Sequence, residues 1–249
     1  MKRTLNTAKR ALIQLKHDPR SIALMLVMPL VLLTLLKYMF SNEPTYPGKP
    51  NTFDMFALPF LGFFPLLIMF LITSIIMLRE RTGGTLERLF TTPLKPAELI
   101  FGYAIAFGAM AVIQAIITTT YTYYVLDIDI QGSQIPVIGI AVMNALLGVA
   151  LGLFFSAFAR TEFQAIQFMP VVILPQLLLA GVIAPIDSMA NWMQTLSRIM
   201  PLRYSLDALN QISSHASMTQ DAWNDVLGVA IVIVIALIGA GLTLRRKTT

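Results

Sequence analysis

Side chains able to do chemistry are scarce in this 249-residue sequence, and their spacing excludes most catalysts. There is no cysteine, so neither a disulfide framework, a thiolate metal site nor a lipidated cysteine can form. His17 and His215 lie far apart and are expected on opposite sides of a membrane. That leaves no nucleophile and base pair and no metal-ligand cluster, so neither a catalytic residue nor a metal site is expected. A phosphate loop is absent as well. Gly48-Lys49-Pro50 lacks the first glycine, the hydroxyl residue and the following helix that cradle a nucleotide. What the chain does offer is a charged stretch suited to docking: Arg79-Glu80-Arg81-Thr82-Gly83-Gly84-Thr85-Leu86-Glu87-Arg88-Leu89-Phe90-Thr91-Thr92-Pro93-Leu94-Lys95-Pro96-Ala97-Glu98. Thr85 is positioned to cap a short helix whose apolar face is Leu86, Leu89 and Phe90, with Glu80, Glu87 and Arg88 open to a charged partner. Gly83 and Gly84 before it, and Pro93 and Pro96 after it, set its limits. On the residues alone, an ordinary charged connector is the favoured reading of the stretch.

The elements that must carry this stretch are membrane spans. The sequence is 56% hydrophobic and 12% charged with mean hydropathy +0.72, against about 25% charged residues in a soluble domain. An all-α membrane protein follows, with spans over roughly Ser21 to Phe40, Met55 to Leu78, Leu99 to Leu126, Ile135 to Ala159, Phe163 to Ile183 and Val226 to Leu244. These fill one transmembrane domain over 1–249 and leave no room for a large soluble one. Fourteen of the eighteen Lys and Arg fall before the first span, between spans two and three, between four and five, and after the sixth. The positive-inside rule then places both termini in the cytoplasm, as an even number of spans requires. The net charge of +5 is read as a topology signal and not as a nucleic-acid footprint. The basic start of the chain runs to Arg20 without a cleavage site, so no removable signal peptide is expected.

Residues 1–20 read as an interfacial helix, with Leu5, Ala8, Leu12 and Leu15 as its apolar face and Lys2, Arg3, Lys9, Arg10 and Lys16 as its charge. Lys37 is expected to snorkel from the end of the first span. Ser41 to Pro50 reads as an irregular outer loop, and Asp127 with Asp129 as an outer turn. Tyr121, Tyr123 and Tyr124 suit an interfacial belt. Prolines 29, 59, 65, 170 and 175 lie inside spans and predict kinks. Gln114, Asn144 and Gln176 are the candidate substrate-path residues among the polar side chains within spans, although interhelical hydrogen bonding is the plainer use of such groups. In the segment 184–225, Trp192, Leu196 and Ile199 share a helical face suited to a partly buried interfacial helix. No Asp or Glu falls within a span, so the ion-coupling carboxylate of a secondary carrier is missing and external energy is needed.

Glu80, Arg81, Gly84, Thr85, Leu86, Glu87, Leu89, Thr92, Pro93 and Glu98 together resemble the loop after the second helix in permeases of the ABC type-2 exporter class. A second match begins at Leu179-Ala180-Gly181-Val182-Ile183-Ala184-Pro185 and continues through Trp192, Leu196, Pro201, Leu202, Tyr204 and Asp207-Ala208-Leu209. It is similar to that family's short extracellular helices after a re-entrant turn, with Ala180 where Ser is frequent. The resemblance implies a coupling helix within 79–98 that seats in a groove of a cytoplasmic ATPase, with Glu80, Arg81, Thr85, Leu86, Glu87, Arg88, Leu89 and Phe90 as the coupling residues. It also implies an extracellular re-entrant region marked by Gly181, Pro185, Trp192 and Pro201. On that reading the chain binds no cofactor, ATP and Mg belong to the partner subunit, and a second permease, identical or sibling, completes the path. The implied function is export of an amphiphilic molecule such as a drug, antibiotic or lipid across the plasma membrane. An exporter of polysaccharide or ions, and an ATP-independent channel or scaffold, are the alternatives.

Overall fold

The computed structural model describes residues 2–43, 51–91, 95–128, 133–214 and 219–244, with the backbone alone at 86, 87, 90, 213 and 214. Thus Asp129, His215, Arg245, Arg246, Lys247, most of the 41–50 loop, Thr92 to Leu94, and the side chains of Leu86, Glu87 and Phe90 lie outside the described residues. Every regular element described is helical. Helix α1 (Lys2–Lys16) meets α2 (Pro19–Met39) at an elbow, followed by α3 (Thr52–Thr82), α4 (Thr85–Phe90), α5 (Pro96–Tyr124) and α6 (Gln134–Phe155). Next come α7 (Glu162–Val172), α8 (Leu174–Leu179), a 3-10 turn at Ile186–Ser188, α9 (Asn191–Ser197), α10 (Pro201–Ser214) and α11 (Gln220–Thr243). Six spans, with α7 and α8 together forming the fifth, are long and apolar enough to cross a membrane.

Burial orders the bundle from centre to rim. In α3, 78% of the apolar window is buried by the rest of the chain, against 17% in α2 and in α11. α3 is therefore the post around which the others pack, while α2 and α11 leave broad apolar faces for lipid or another helix. Its closest neighbour is α6. A Cβ at Gly148 would overlap the carbonyl of Leu66, and one at Gly152 would lie 2.7 Å from the Phe70 carbonyl oxygen. Only hydrogen on that face of α6 lets the two backbones approach so closely. The core divides along α3 into one cluster around Phe53, Leu61, Val137 and Leu206, and another around Met25, Met69, Leu99 and Tyr103.

Two boundaries depart from expectation, while the break in the fifth span is the kink its prolines predict. α3 continues to Thr82, a full turn past the apolar run, because nothing in Arg79-Glu80-Arg81 breaks a helix and Gly83 is the first residue that ends one. α11 begins at Gln220, six residues before Val226, with the Thr219 hydroxyl capping it through the Ala222 amide. The fifth span breaks at Ile173, because Pro175 lacks an amide hydrogen and disfavours helical geometry just before it. By contrast, α3 runs uninterrupted through Pro59 and Pro65.

The amphipathic elements also rearrange. α1 buries Thr7, Ala8, Ala11 and Leu15 against the start of α5, while Leu5 and Leu12, assigned to the same face from spacing, are exposed. The approach is closest at Gly102, where a Cβ would lie 2.6 Å from Thr7 Cβ. Trp192 and Ile199 are likewise exposed, and Ile199 falls beyond the end of α9. The helix of that segment that the chain does bury is α10, through Leu202, Ser205, Leu206, Ala208, Leu209 and Ile212. Asp127 adopts a left-handed φ of +50° where α5 turns out of its helix, a conformation Asp tolerates better than most residues. Lys37 lies 4.6 Å from the centre of the Phe53 ring, so its charge is held against α3.

Candidate coupling interface

Arg79, Glu80 and Arg81 leave the last turn of α3 at about 100° intervals and meet three different surroundings. Glu80 turns inward and is 7% exposed. One carboxylate oxygen accepts from Arg10 Nη2 at 3.1 Å and the other from Gln14 Nε2 at 3.0 Å. Arg10 also donates to the Tyr103 hydroxyl, with its guanidinium 5.9 Å from that ring's centre. One acid thus ties α1, α3 and α5 together. Both oxygens of Glu80 are committed inside the chain. Arg79 points the other way, with Nε 2.7 Å and Nη2 2.9 Å from the two oxygens of Glu162 at the start of α7. Removing one partner of a buried pair costs about 3–5 kcal/mol, whereas an exposed pair contributes about 0–1 kcal/mol. The Glu80 cluster is therefore a fixed anchor and the half-exposed Arg79–Glu162 pair an exchangeable one. Arg81 is half-buried, and its Nε and Nη2 are enclosed without a hydrogen-bond partner among the described residues.

Beyond this anchor the chain reverses. The Gly83 amide donates to the Arg79 carbonyl at 2.8 Å, closing α3. Gly84 then takes φ +70°, a left-handed geometry that a side chain would strain, and stands as the N-cap of α4. Thr85 is the first helical residue and makes no capping bond, so the expected Thr85 cap is replaced by Gly84. Of the α4 side chains described, Arg88 is exposed and Leu89 packs on the cluster around Met69 and Tyr103. Thr91 bonds back to the Arg88 carbonyl at 2.7 Å, and the Lys95 amide donates to the Glu98 carboxylate at 2.9 Å where α5 begins. A cavity of about 250 Å³ lies between Thr85 of α4, Gln14 and Leu15 of α1, Glu80 of α3, and Tyr103 of α5. Asp18, on its rim, accepts from the Ser21 amide at 3.2 Å and hydroxyl at 2.7 Å; these bonds hold its carboxyl below the usual carboxylate range and set the elbow between α1 and α2. Among the described residues the arrangement brings no nucleophile to a base. It is a short helix hung from a braced helix end.

The three candidate path residues are buried but serve separate joints. Gln114 donates to the Met25 carbonyl at 3.0 Å and binds α5 to α2. Asn144 accepts from the Ser205 hydroxyl at 2.5 Å, and its amide nitrogen lies against Gly62. Gln176 donates to the Val172 carbonyl at 3.1 Å, bridging the break in the fifth span. Gly62 and Asn144 are each the eleventh residue of their helices, so α10 reaches about 15 Å along them. In the region after the fifth span, Gly181 has φ +86°, Pro185 precedes the 3-10 turn, Trp192 is exposed on α9, and Pro201 opens α10.

Arg10, Gln14, Tyr103, Glu162 and Ser205 were not singled out from sequence as partners. Their mates lie 61 to 93 residues away along the chain, beyond the reach of any local pattern. The Gly148 and Gly152 spacing was a visible signal, since small residues four apart in an apolar helix mark close packing.

Residues 4–213, from α1 into the last turn of α10, carry the residue pattern of ABC-2 type transporters. The chain belongs to that family. ABC-2 relatives agree. The chain is 28% identical over 171 residues to "ABC transporter G family member 20" of Dictyostelium discoideum, covering 68% of this chain and 23% of that protein. It is 29% identical over 177 residues to "Probable multidrug ABC transporter permease YbhR" of Escherichia coli strain K12, covering 71% and 48%. With "Linearmycin resistance permease protein LnrN" of Bacillus subtilis strain 168 it shares 25% over 170 residues, covering 68% and 44%. The chain thus spans about a quarter to a half of the length of these relatives. This member of the ABC-2 type transporter family carries six helices long and apolar enough to cross a membrane among its described residues.

Proposed function

We propose that this ABC-2 permease forms the membrane path of an exporter driven by a separate cytoplasmic ATPase. The observation that carries the reading is the seating of α4. A six-residue helix follows a left-handed glycine directly at the end of the most buried span, whose last turn is braced by Glu80 to α1 and α5. A force applied to α4 by a docked protein would enter the bundle centre without being absorbed by a loose loop. Thr85, Arg88 and Leu89, with Arg81 behind them and Leu86, Glu87 and Phe90 on the same helix, are the contact residues of this reading, while Glu80 is its anchor. ATP and Mg are held by the partner, both termini face the cytoplasm at the plasma membrane, and a second permease copy or sibling closes the path. Exposed apolar faces on α2, α8 and α11, such as Leu35, Leu178 and Ile235, leave room for that second copy. The cargo is an amphiphile, drug, antibiotic or lipid-like, moved from the cytoplasm or inner leaflet; the names of the Escherichia coli and Bacillus subtilis relatives favour this class.

The test is to purify the tagged chain from its native membrane in mild detergent and identify what remains bound. An ATP-binding-cassette protein in equal ratio is expected, and Glu87→Lys should release it while leaving insertion intact. A folded chain that repeatedly emerged without an ATPase would sink the reading in favour of an ATP-independent channel or scaffold.

A further inference from the structure

α1 has three sides. Thr7, Ala8, Ala11 and Leu15 are buried against α5, and Arg10 and Gln14 are bonded to Glu80. The third side is open. Along it Lys2, Lys9 and Lys16 recur at intervals of seven residues, all exposed, and among the described residues none of the three has a hydrogen-bond or ion-pair partner. Seven residues are nearly two turns, so the lysines form one row about 21 Å long. Beside it lies a second row with the same interval, Leu5 and Leu12, which are 56% and 36% exposed.

The place of this face in the molecule decides what can cover it. Only His17 and Asp18 separate α1 from α2, the first span, and the inner side of α1 rests on the first turns of the third span. The open face therefore lies where spans enter the membrane. A leucine row beside a lysine row matches the boundary between acyl chains and phosphates, because lysine stems can lie along apolar surface while their ammonium groups reach the headgroups. An acidic protein would satisfy the lysines but not the neighbouring leucines at this depth.

We propose that this face of α1 binds anionic phospholipid headgroups, with Lys2, Lys9 and Lys16 as the contact row and Leu5 and Leu12 dipping into the acyl boundary. Because the same helix holds Glu80 through Arg10 and Gln14, headgroup binding bears directly on the last turn of α3. The proposal concerns lipid and stands whether or not an ATPase docks on α4.

The cysteine-free chain allows a direct test. Leu12→Cys, labelled with an environment-sensitive fluorophore, is reconstituted as the full chain into phosphatidylcholine vesicles containing increasing fractions of phosphatidylglycerol. The emission is expected to shift blue as the anionic fraction rises and to shift back with added salt. Each lysine in apposition should contribute roughly fivefold to the apparent affinity, so Lys2→Gln/Lys9→Gln/Lys16→Gln should weaken it on the order of a hundredfold and abolish the shift over the accessible range of anionic fraction. The corresponding triple Arg variant should keep the response, which separates loss of charge from misfolding. Emission independent of the anionic fraction would overturn the proposal, as would a triple Gln variant that responds like its parent. A shift seen only on adding a soluble protein partner would assign the face to that protein and overturn it too.

Discussion

At Glu80 the decisive quantity is where the charge sits. The same carboxylate on a solvated loop would contribute little, but here it is enclosed and answered by one guanidinium and one amide. Removing it leaves Arg10 and Gln14 facing a hole. Glu80→Ala is therefore expected to cost about 2–4 kcal/mol, below the full penalty for a buried pair because Arg10 is 31% exposed. Arg79→Ala, one residue earlier, should cost about 1 kcal/mol or less, since both members of its pair are half in solvent. Thermal unfolding of the two variants in detergent checks the order; an Arg79 variant at least as destabilised as the Glu80 variant would show that the anchor is misassigned. Sequence placed Glu80 and Arg81 on one coupling surface and left Arg79 as a flanking charge. It could not separate their roles, because successive helical residues diverge in direction and their partners come from α1 and α7.

Between elements, the contact that most constrains the bundle is α3 on α6. Gly148 and Gly152 sit one turn apart over carbonyls of α3, so the two helices touch through backbone as well as side chain. A methyl group at Gly148 would have to push a carbonyl aside, and a carbonyl within a buried helix has nowhere to go. Gly148→Ala should lower the midpoint of thermal unfolding markedly, whereas Gly228→Ala on α11, where a Cβ would meet nothing within 4 Å, should be neutral or slightly stabilising. Equal effects at the two positions would deny the close approach. The short elements teach a related lesson. α4 was legible from Gly83-Gly84 and the prolines beyond, but the residue that caps it was not, since only the chain reversal requires the left-handed geometry of Gly84. Spacing likewise offered a face containing Leu5 and Leu12 on α1, yet the residues that α1 buries are Thr7, Ala8, Ala11 and Leu15, with a close approach to Gly102 of α5.

For the molecule as a whole, topology is the claim with most consequences. Both ends of α4 and the start of α7 gather at one end of the bundle, joined by Arg79 and Glu162, while the α5 to α6 connection lies at the other. In a chain free of cysteine, Thr91→Cys and Ser133→Cys should label with membrane-impermeant maleimide from opposite sides, Thr91→Cys from the cytoplasm and Ser133→Cys from outside. Labelling of both from one side would break the span order, and the reverse pattern would invert the protein. The same order puts α10 at the Ser133 end, inserted between α3, α6 and α11 and fastened by Ser205 to Asn144.

The sequence by itself determined the solvent and the element list. Twenty-residue apolar runs leave a chain no choice but to satisfy its backbone internally in lipid, so the number and approximate limits of the spans follow from composition alone. It also marked the charged stretch between the second and third spans, because glycines and prolines stop helices wherever they occur. Only the tertiary structure decided which charged or polar groups are anchors and which are free. Glu80, Asn144 and Gln114 take their partners from elements 61 to 89 residues away in sequence. In the bilayer interior apolar faces are nearly interchangeable, so side-chain type alone does not fix which helix meets which. Shape at Gly148 and Gly152 and a few buried hydrogen bonds fix it instead.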